Sequence, residues 1–193
     1  TYWRNPGDSA SAPTFFYELP EGVTMGEIQF PRPERIPFGP LESFGYENEV
    51  LLFWPVEVDA DLLGRNIKLG IDAEWLVCKE ECIPGLYKFY LEGEVRGEVG
   101  RSTHFDLFQK YKGLLPDPKV RSAEADQAGD RAVLRFEKSA PSIQDLFPFN
   151  NDWVNNKKPQ ISTTEATFEK SKSQALLPDR AQFLALTQEG SFI

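Results

Sequence analysis

Short stretches in which apolar and polar residues alternate are the feature that most limits the fold of this chain. They occupy residues 23–30, 49–58, 66–77 and 86–95, and they are rich in β-branched and aromatic residues. Segments with many prolines and glycines, such as "PRPERIPFGP", separate them. Period-two alternation with closely spaced breakers is typical of an antiparallel β-sandwich or barrel. We therefore expect an all-β fold.

One stretch, "STHFDLFQKYKG", follows helical rather than strand periodicity. Its aromatic residues at helical spacing are Phe105, Phe108 and Tyr111. Thr103 and Asp106 have the spacing of a capping box, and Gly113 is suited to end a helix. The pattern predicts one short helix between two β-rich regions.

The β pattern resumes beyond a proline-punctuated, polar segment that we interpret as a linker, 116–130. Further strands are predicted at 131–138, 161–170 and 181–187, with a loop, "FPFNNDWVNNKKPQ", between the first two. A chain of 193 residues suits one large β domain or two small domains, and the later strands could form a separate sheet domain or pack on the first one. We expect a β-sandwich domain over residues 1–117 and a second, smaller, β-rich and immunoglobulin-like domain over 118–193.

Charge and hydropathy exclude some classes of partner and location. The chain has 21 Lys and Arg against 30 Asp and Glu, a formal net charge of −9. Such an acidic chain lacks the basic surface that binds nucleic acid. No apolar run approaches the roughly 20 residues that span a bilayer, and no signal peptide is recognisable. The longest apolar run, "VLLFWPV", is expected to be a buried strand, and the chain is expected to be part of a longer protein that holds any membrane anchor.

Both cysteines of the chain lie in "DAEWLVCKEECIPG", as Cys78 and Cys82. Residues four apart on an extended strand are about 13 Å from each other, too far for a disulfide, whose Cα atoms lie about 4.4–6.8 Å apart. A turn brings them within reach. Because a strand pattern precedes Cys78 and the residue before Pro84 favours extended structure, "CKEEC" is predicted to be a turn at a sheet edge that brings the two sulfurs together.

The small ring that such a disulfide closes is better suited to redox chemistry than to structural support. Loop closure over so few residues contributes only about 2 kcal/mol. Glu80 and Glu81 place negative charge beside a thiolate and are expected to raise the thiol pKa, while Lys79 partly opposes them. Destabilised thiolates favour giving electrons away. The sequence therefore predicts a reducing or relaying cysteine pair rather than a strong oxidant.

Other interpretations of the pair remain open at this point. One alternative is a β-sandwich that binds a ligand or partner and in which the disulfide is only structural. In that interpretation the residues that would line a carbohydrate-binding face are the tryptophans Trp3, Trp54, Trp75 and Trp153. Two thiolates would also suit copper(I), but they lack the four ligands of a structural zinc site. The single histidine, His104, is interpreted as a solvated or capping residue, and no metal site is predicted.

Three segments of the sequence resemble a known family. "TYWRNPGDSASAPT", "IQFPRPERIPFGPLESFGYENEVLL" and "AEWLVCKEECIPG" resemble the N-terminal periplasmic domain of the DsbD/ScsB family of transmembrane thiol–disulfide reductases, more closely its ScsB-like branch. The resemblance is clear over about residues 1–118. Beyond them only "DLFPFNNDW" resembles an element of the family.

The resemblance implies an immunoglobulin-like sandwich with a redox-active disulfide and no other cofactor. By this resemblance the domain is a protein-disulfide reductase module, with Cys82 as the nucleophile and Cys78 as the resolving thiol. Electrons come from the transmembrane and thioredoxin-like domains of the same full-length protein and pass to periplasmic thioredoxin-fold proteins. The implied location is the periplasm, as the soluble ectodomain of an inner-membrane protein, and the implied processes include copper tolerance and cytochrome c biogenesis.

The family also shields its cysteines with an aromatic cap loop. "ESFGYEN" lies at about the corresponding position, so the resemblance implies Phe44 and Tyr46 as cap residues. Tyr2 matches an aromatic residue near the site, and Trp75 is a candidate for its wall. This chain has three residues between its cysteines, where DsbD has more.

Overall fold

Antiparallel β-strands make up most of the structure, which confirms the all-β fold class. The computed structural model describes residues 1–8, 11–79, 81–98, 100–118, 121–137, 140–150, 153–171 and 181–193. The alternating stretches at 66–77 and 86–95 form the two longest strands, as predicted. Within the described residues, the only α-helix lies between the two β-rich regions, also as predicted.

The strands of the first region form three sheets. In chain order they are β1 (Tyr2–Gly7), β2 (Thr14–Glu18), β3 (Val23–Met25), β4 (Glu34–Phe38), β5 (Leu41–Gly45), β6 (Val56–Val58), β7 (Asn66–Cys78) and β8 (Cys82–Glu94). The strand orders are β1-β5-β4, β2-β7-β8 and β3-β6. A single 3-10 turn, Ala60–Leu62, precedes β7. In the second of these sheets β8 is an edge strand.

The helix and the strands of the second region follow. They are α1 (Phe105–Lys112), β9 (Glu124–Ala128), β10 (Arg131–Arg135), β11 (Ile143–Pro148), β12 (Gln160–Ile161), β13 (Glu165–Glu169), β14 (Phe183–Thr187) and β15 (Ser191–Phe192). The strand orders are β12-β13-β10-β9 and β11-β14-β15. The buried Tyr111 attaches α1 to the first region, because its hydroxyl donates a hydrogen bond of 2.9 Å to Oε1 of Glu49.

The sheet β11-β14-β15 is a middle layer with buried side chains on both faces. Leu146 and its cross-strand partner Ala185 belong to a core cluster built from the second region. The next pair along the strands, Phe147 and Leu184, points the other way. This second pair completes the other core cluster, whose remaining buried members are Trp3, Phe30 and Phe44. The two predicted domains therefore share a core, and the boundary at 117/118 as a division between separate folding units stays a prediction.

A buried ion pair also joins the two regions. Arg35 on β4 makes a bidentate interaction with Asp145 on β11, through Nε at 2.8 Å and a terminal nitrogen at 3.0 Å. Its guanidinium lies over both the Phe44 and Phe147 rings, at 5.0 Å and 4.8 Å from their centroids. Arg35 and Asp145 expose only 12% and 10% of their side chains. Arginine suits this position because its planar group hydrogen-bonds at its edge and stacks on aromatic faces.

Several strand predictions were wrong in their extent. The stretch at 23–30 is a strand only over β3, and that at 49–58 only over β6, so "VLLFWPV" is not the buried strand that its hydrophobicity predicts. The "PRPERIPFGP" segment contains β4, and the predicted linker contains β9. The strand predicted at 131–138 ends at Arg135, and its last residue, Lys138, lies outside the described residues, as do 119 and 120 of the linker.

The segment "FPFNNDWVNNKKPQ", which was predicted to be a loop, is one only in part: its last residue, Gln160, begins β12, and 151 and 152 lie outside the described residues. Its first two residues, Phe147 and Pro148, belong to β11. A strand that is buried on both faces shows a continuous apolar run and not alternation, so period two is not a signal for it. Pro148 ends the strand, where the missing N–H is tolerated.

The helix prediction was right in position and wrong in its cap. α1 spans Phe105–Lys112 and Gly113 follows it, but the N-cap is His104, without a side-chain hydrogen bond at the cap. The capping box of Thr103 and Asp106 is thus not used. The helices found among the described residues lack the length and apolarity needed to cross a bilayer.

Candidate functional site

The two cysteines close a long β-hairpin. β7 and β8 pair without a register shift from Asn66 opposite Glu94 to Cys78 opposite Cys82. A disulfide joins Cys78 and Cys82, whose Cα atoms are 4.1 Å apart. In the connection between them, the N–H of Lys79 donates to the carbonyl of Glu81 at 3.3 Å. The predicted turn at a sheet edge is confirmed, and it places the disulfide at the tip of the hairpin.

The tip of the hairpin is accessible to a large partner. Cys82 is exposed, whereas Cys78 is half-buried. The neighbouring apolar side chains Val77 and Ile83 are 51% and 67% exposed. Almost every residue of β8 is exposed, because the strand lies at the edge of its sheet and outside both core clusters. An outside protein can therefore approach Cys82 without rearrangement of the core.

The unbroken register assigns each hairpin residue to one of two faces. Directly opposite residues share a face and successive residues alternate, so the disulfide lies on the face of Leu76, Pro84 and Leu86. Trp75, Val77 and Ile83 lie on the other face. Leu86 is 70% exposed, which leaves an apolar strip next to the sulfurs on the disulfide's own face.

Trp75 packs across the hairpin and not against the sulfurs. Its cross-strand partner is Gly85, and a Cβ at Gly85 would lie only 2.3 Å from Cε2 of the indole. The indole thus occupies the space above Gly85, on the face opposite the disulfide. The geometry gives Trp75 a role in hairpin packing, and its role as a wall of the site stays a prediction.

The residues proposed as a cap lie in the body of the first region. Phe44 on β5 is fully buried and packs in the shared core with its ring centroid 5.1 Å from that of Phe147. Tyr46 packs against the same cluster, and its hydroxyl donates a hydrogen bond of 2.7 Å to the carbonyl of Pro31. Burial strongly raises the pKa of the Tyr46 phenol. Tyr2 on β1 is 8% exposed. Core packing accounts for all three aromatic residues, and their role as a cap stays a prediction.

Charged residues around the tip are solvated, and those further along the hairpin are paired. Lys79 and Glu81 are exposed, and Glu80 lies outside the described residues. On the disulfide's face of the sheet, Lys88 contacts Glu18 on β2 at 2.6 Å and Asp72 on β7 at 3.3 Å. The hydrogen bond to Glu18 raises the pKa of Lys88. These exposed pairs connect the three strands that carry the site, although each contributes little to stability.

The tryptophans do not form the common face that carbohydrate binding would need. Trp3 and Trp153 are 1% and 2% exposed and belong to different core clusters. Trp54 donates a hydrogen bond to the hydroxyl of Tyr17, and Trp75 covers Gly85. The proposal of a shared aromatic face was therefore wrong.

The strand that presents Cys82 begins earlier than its sequence alternation indicates. Alternation is visible only from Leu86 onward, whereas β8 already starts at Cys82. Pro84 and Gly85 look like a turn, but they lie inside the strand. The signal that was available is the position of the proline, because prolines in sheets are confined to edges, strand ends and bulges.

Comparisons with known proteins support the assignment of a fold and a class of domain. A family model described as "Thiol:disulfide interchange protein DsbD, N-terminal" matches residues 1–93, which include both cysteines. The crystal structure of the N-terminal periplasmic domain of ScsB from Proteus mirabilis is similar, with a TM-score of 0.65 and 15% sequence identity. The similarity covers 100% of this chain and 79% of that chain. A search of curated proteins gives no match.

Proposed function

Residues 1–93 match the family of DsbD N-terminal domains, and from this premise we propose that the chain is a thiol–disulfide exchange module that reduces partner proteins. The observation that supports the proposal most strongly is the place of the disulfide. It lies at the tip of a hairpin, with Cys82 exposed on an edge strand.

A structural role would contribute little here. Thirteen residue pairs already hold β7 and β8 together up to Cys78 and Cys82, so the disulfide closes a connection that the sheet has formed. Loop closure over a separation of four residues contributes about 2 kcal/mol. Exchange chemistry, in contrast, needs an accessible sulfur and a second thiol within bonding reach, and the hairpin provides both.

In the proposed reaction the reduced pair gives two electrons to a partner disulfide. The Cys82 thiolate attacks one partner sulfur, so that a Cys82–partner bond forms, the partner's disulfide breaks and its other sulfur leaves as a thiolate. The Cys78 thiolate then attacks the Cys82 sulfur and releases the first partner sulfur. The Cys78–Cys82 disulfide is left oxidised, and the two partner thiolates take up protons from solvent.

The different exposures of the two cysteines support these roles. Cys82 is exposed and begins the edge strand, whereas Cys78 is half-buried and ends the inner strand β7. A partner sulfur reaches Cys82 more readily, and Cys78 is held next to Cys82 to resolve the intermediate.

The partners and the location follow from the family and not from the geometry. We infer that the partners are periplasmic proteins with a thioredoxin fold. The membrane-embedded and thioredoxin-like parts of the same full-length protein would reduce the pair again. The periplasmic location of the similar ScsB domain and the family match support a periplasmic location for this chain.

Covalent trapping in the periplasm tests the proposal. Without Cys78 the mixed disulfide has no resolving thiol, so Cys78→Ala is expected to accumulate covalent complexes with partner proteins, detected as reducible bands on gels and identified by mass spectrometry. Cys82→Ala, the matched control, is expected to trap none. Trapping by Cys82→Ala instead would reverse the two roles, and absence of trapping by both variants would contradict the exchange function.

A further inference from the structure

The outer edge of β8 carries free backbone groups next to the reactive sulfur. Within the described part of the chain, no strand pairs with this edge. In an antiparallel ladder, opposite residues alternate between hydrogen-bonded pairs, with Cα atoms about 5.5 Å apart, and non-hydrogen-bonded pairs, about 4.5 Å apart. The 4.1 Å between the Cα atoms of Cys78 and Cys82 identifies a non-hydrogen-bonded pair. The N–H and carbonyl of Cys82 therefore point away from β7, toward the open edge.

The position of Pro84 agrees with this assignment. Pro84 lies two residues after Cys82 and has the same orientation, so the nitrogen that lacks a hydrogen faces the open edge and not β7. Prolines occur in sheets at such positions, where no ladder hydrogen bond is lost. By the same alternation, the N–H and carbonyl of Leu86 also face outward.

We propose that a segment of the partner protein adds to β8 as an antiparallel strand, with its reactive cysteine directly opposite Cys82. The proposal rests on the exchange function proposed above and specifies how the partner binds. At Cys82 and at Leu86 the new strand would accept a hydrogen bond from the N–H and donate one to the carbonyl. At Pro84, which has no N–H, it would only donate one to the carbonyl. Strand addition to an open edge is a general mode of peptide recognition.

The geometry of this pairing suits a mixed disulfide. The residue opposite Cys82 would form a hydrogen-bonded pair with it, with Cα atoms about 5.5 Å apart and both side chains on the same face. Disulfides most often span a Cα separation of about 5.5–6 Å. Backbone pairing would thus bring the partner sulfur to Cys82 at bonding distance, in position for the formation of the Cys82–partner bond.

The exposed side chains of β8 define the chemistry of the segment. In an antiparallel strand, the residue before the partner cysteine lies opposite Ile83, which is 67% exposed. The residue four positions before the cysteine lies opposite Leu86, which is 70% exposed. Apolar and β-branched residues form favourable cross-strand pairs with these side chains. The expected partner segment is extended, uncharged and apolar on the N-terminal side of its cysteine.

Two synthetic peptides test the pairing and its direction. One has five alternating valines and threonines before a single C-terminal cysteine, and the other has the same residues after an N-terminal cysteine; both are used as symmetric disulfides. Only the first reaches Leu86 in the antiparallel direction. One hydrogen bond changes an equilibrium about fivefold. The reduced chain is therefore expected to reduce the first peptide at least about fivefold faster than the second. Each rate is divided by the rate with glutathione disulfide.

Two variants separate backbone pairing from side-chain contact. Leu86→Pro removes the outward N–H and is expected to abolish the difference between the peptides, whereas Leu86→Ala keeps the N–H and most of the difference. Equal rates for both peptides on the natural chain, or a difference that persists in Leu86→Pro, would overturn strand addition. Faster reduction of the peptide with the N-terminal cysteine would overturn the antiparallel direction.

Hydrogen exchange measures the same contact without a change in β8. In the mixed disulfide between the Cys78→Ala form and the first peptide, the N–H groups of Cys82 and Leu86 are expected to exchange at least about fivefold more slowly than in the free Cys78→Ala form. Unchanged exchange would overturn the proposal. A dimer of the free chain, seen by sedimentation, in which the N–H of Leu86 is already protected would also overturn it. In that case a second copy of the chain would occupy the edge. If neither the peptides nor glutathione disulfide are reduced, it is the exchange function that fails.

Discussion

Individual residues divide into those that do chemistry at the hairpin tip and those that hold the body together. Cys82 is exposed and Cys78 half-buried, and this difference supports Cys82 as the proposed nucleophile. Phe44 and Arg35 lie in the core that both regions build. The sequence identified the cysteines because their spacing has few structural explanations. It did not show that Phe44 and Tyr46 pack in the shared core, because burial depends on strands that are remote in sequence.

The buried ring of Phe44 is expected to contribute strongly to stability. Because the ring is fully buried between Trp3, Phe147 and their neighbours, Phe44→Ala is expected to lower the free energy of unfolding by about 3–5 kcal/mol. Urea unfolding measures the loss. Phe38→Ala, at a side chain that is 51% exposed on the next strand, is the matched control and is expected to change stability little.

The same variant tests the cap. If Phe44 shields the sulfurs as well, Phe44→Ala speeds oxidation of the reduced pair by hydrogen peroxide under conditions in which the variant is folded. An unchanged oxidation rate would remove Phe44 from the cap and leave only its structural role.

At the scale of elements, the β7–β8 hairpin is the part that the sequence predicted best. Its strands alternate over their length because one face is largely apolar and the other carries charges, so period two is visible. The strands β4, β9 and β11 were missed for different reasons. β4 lies between prolines, β9 has a polar sequence, and β11 is buried on both faces, which removes alternation.

The fit of the hairpin near its tip gives a prediction about Gly85. A methyl group there would meet the Trp75 indole, so Gly85→Ala is expected to destabilise the fold by about 1–3 kcal/mol through overpacking. Gly93 lies on the same strand and the same face, with no atom within 4 Å of an added Cβ. Gly93→Ala is expected to cause no such loss in urea unfolding. Equal effects of the two substitutions would contradict the packing of Trp75 over Gly85.

At the scale of the whole molecule, the structure stacks three sheets. The sheet β11-β14-β15 contributes Phe147 and Leu184 to the core of the first region, and Leu146 and Ala185 to the core of the second. The β7–β8 hairpin belongs to a separate sheet, β2-β7-β8, in which β8 is an edge strand. The division of the chain at 117/118 rests on the proline-punctuated segment and the β pattern that resumes after it, and it stays a prediction.

This arrangement predicts how a fragment behaves. Residues 1–117 alone lose Phe147, Leu184 and the carboxylate of Asp145, which leaves Trp3 exposed and Arg35 with only Glu42 as a carboxylate partner. Loss of one member of a buried ion pair alone costs about 3–5 kcal/mol. The fragment is expected to show no cooperative thermal unfolding. A fragment that unfolds cooperatively near the temperature of the full chain would instead confirm an independent first domain.

The central claim is that the Cys78–Cys82 pair exchanges electrons with outside proteins, and the reduction potential of the pair tests it most directly. Equilibration of the full chain with glutathione buffers of known ratio, followed by quantification of free thiols, gives this value. We expect a potential above about −300 mV, a range in which glutathione and protein dithiols exchange with the pair. A potential below about −300 mV, with a disulfide that resists glutathione, would identify a structural bridge and contradict the account.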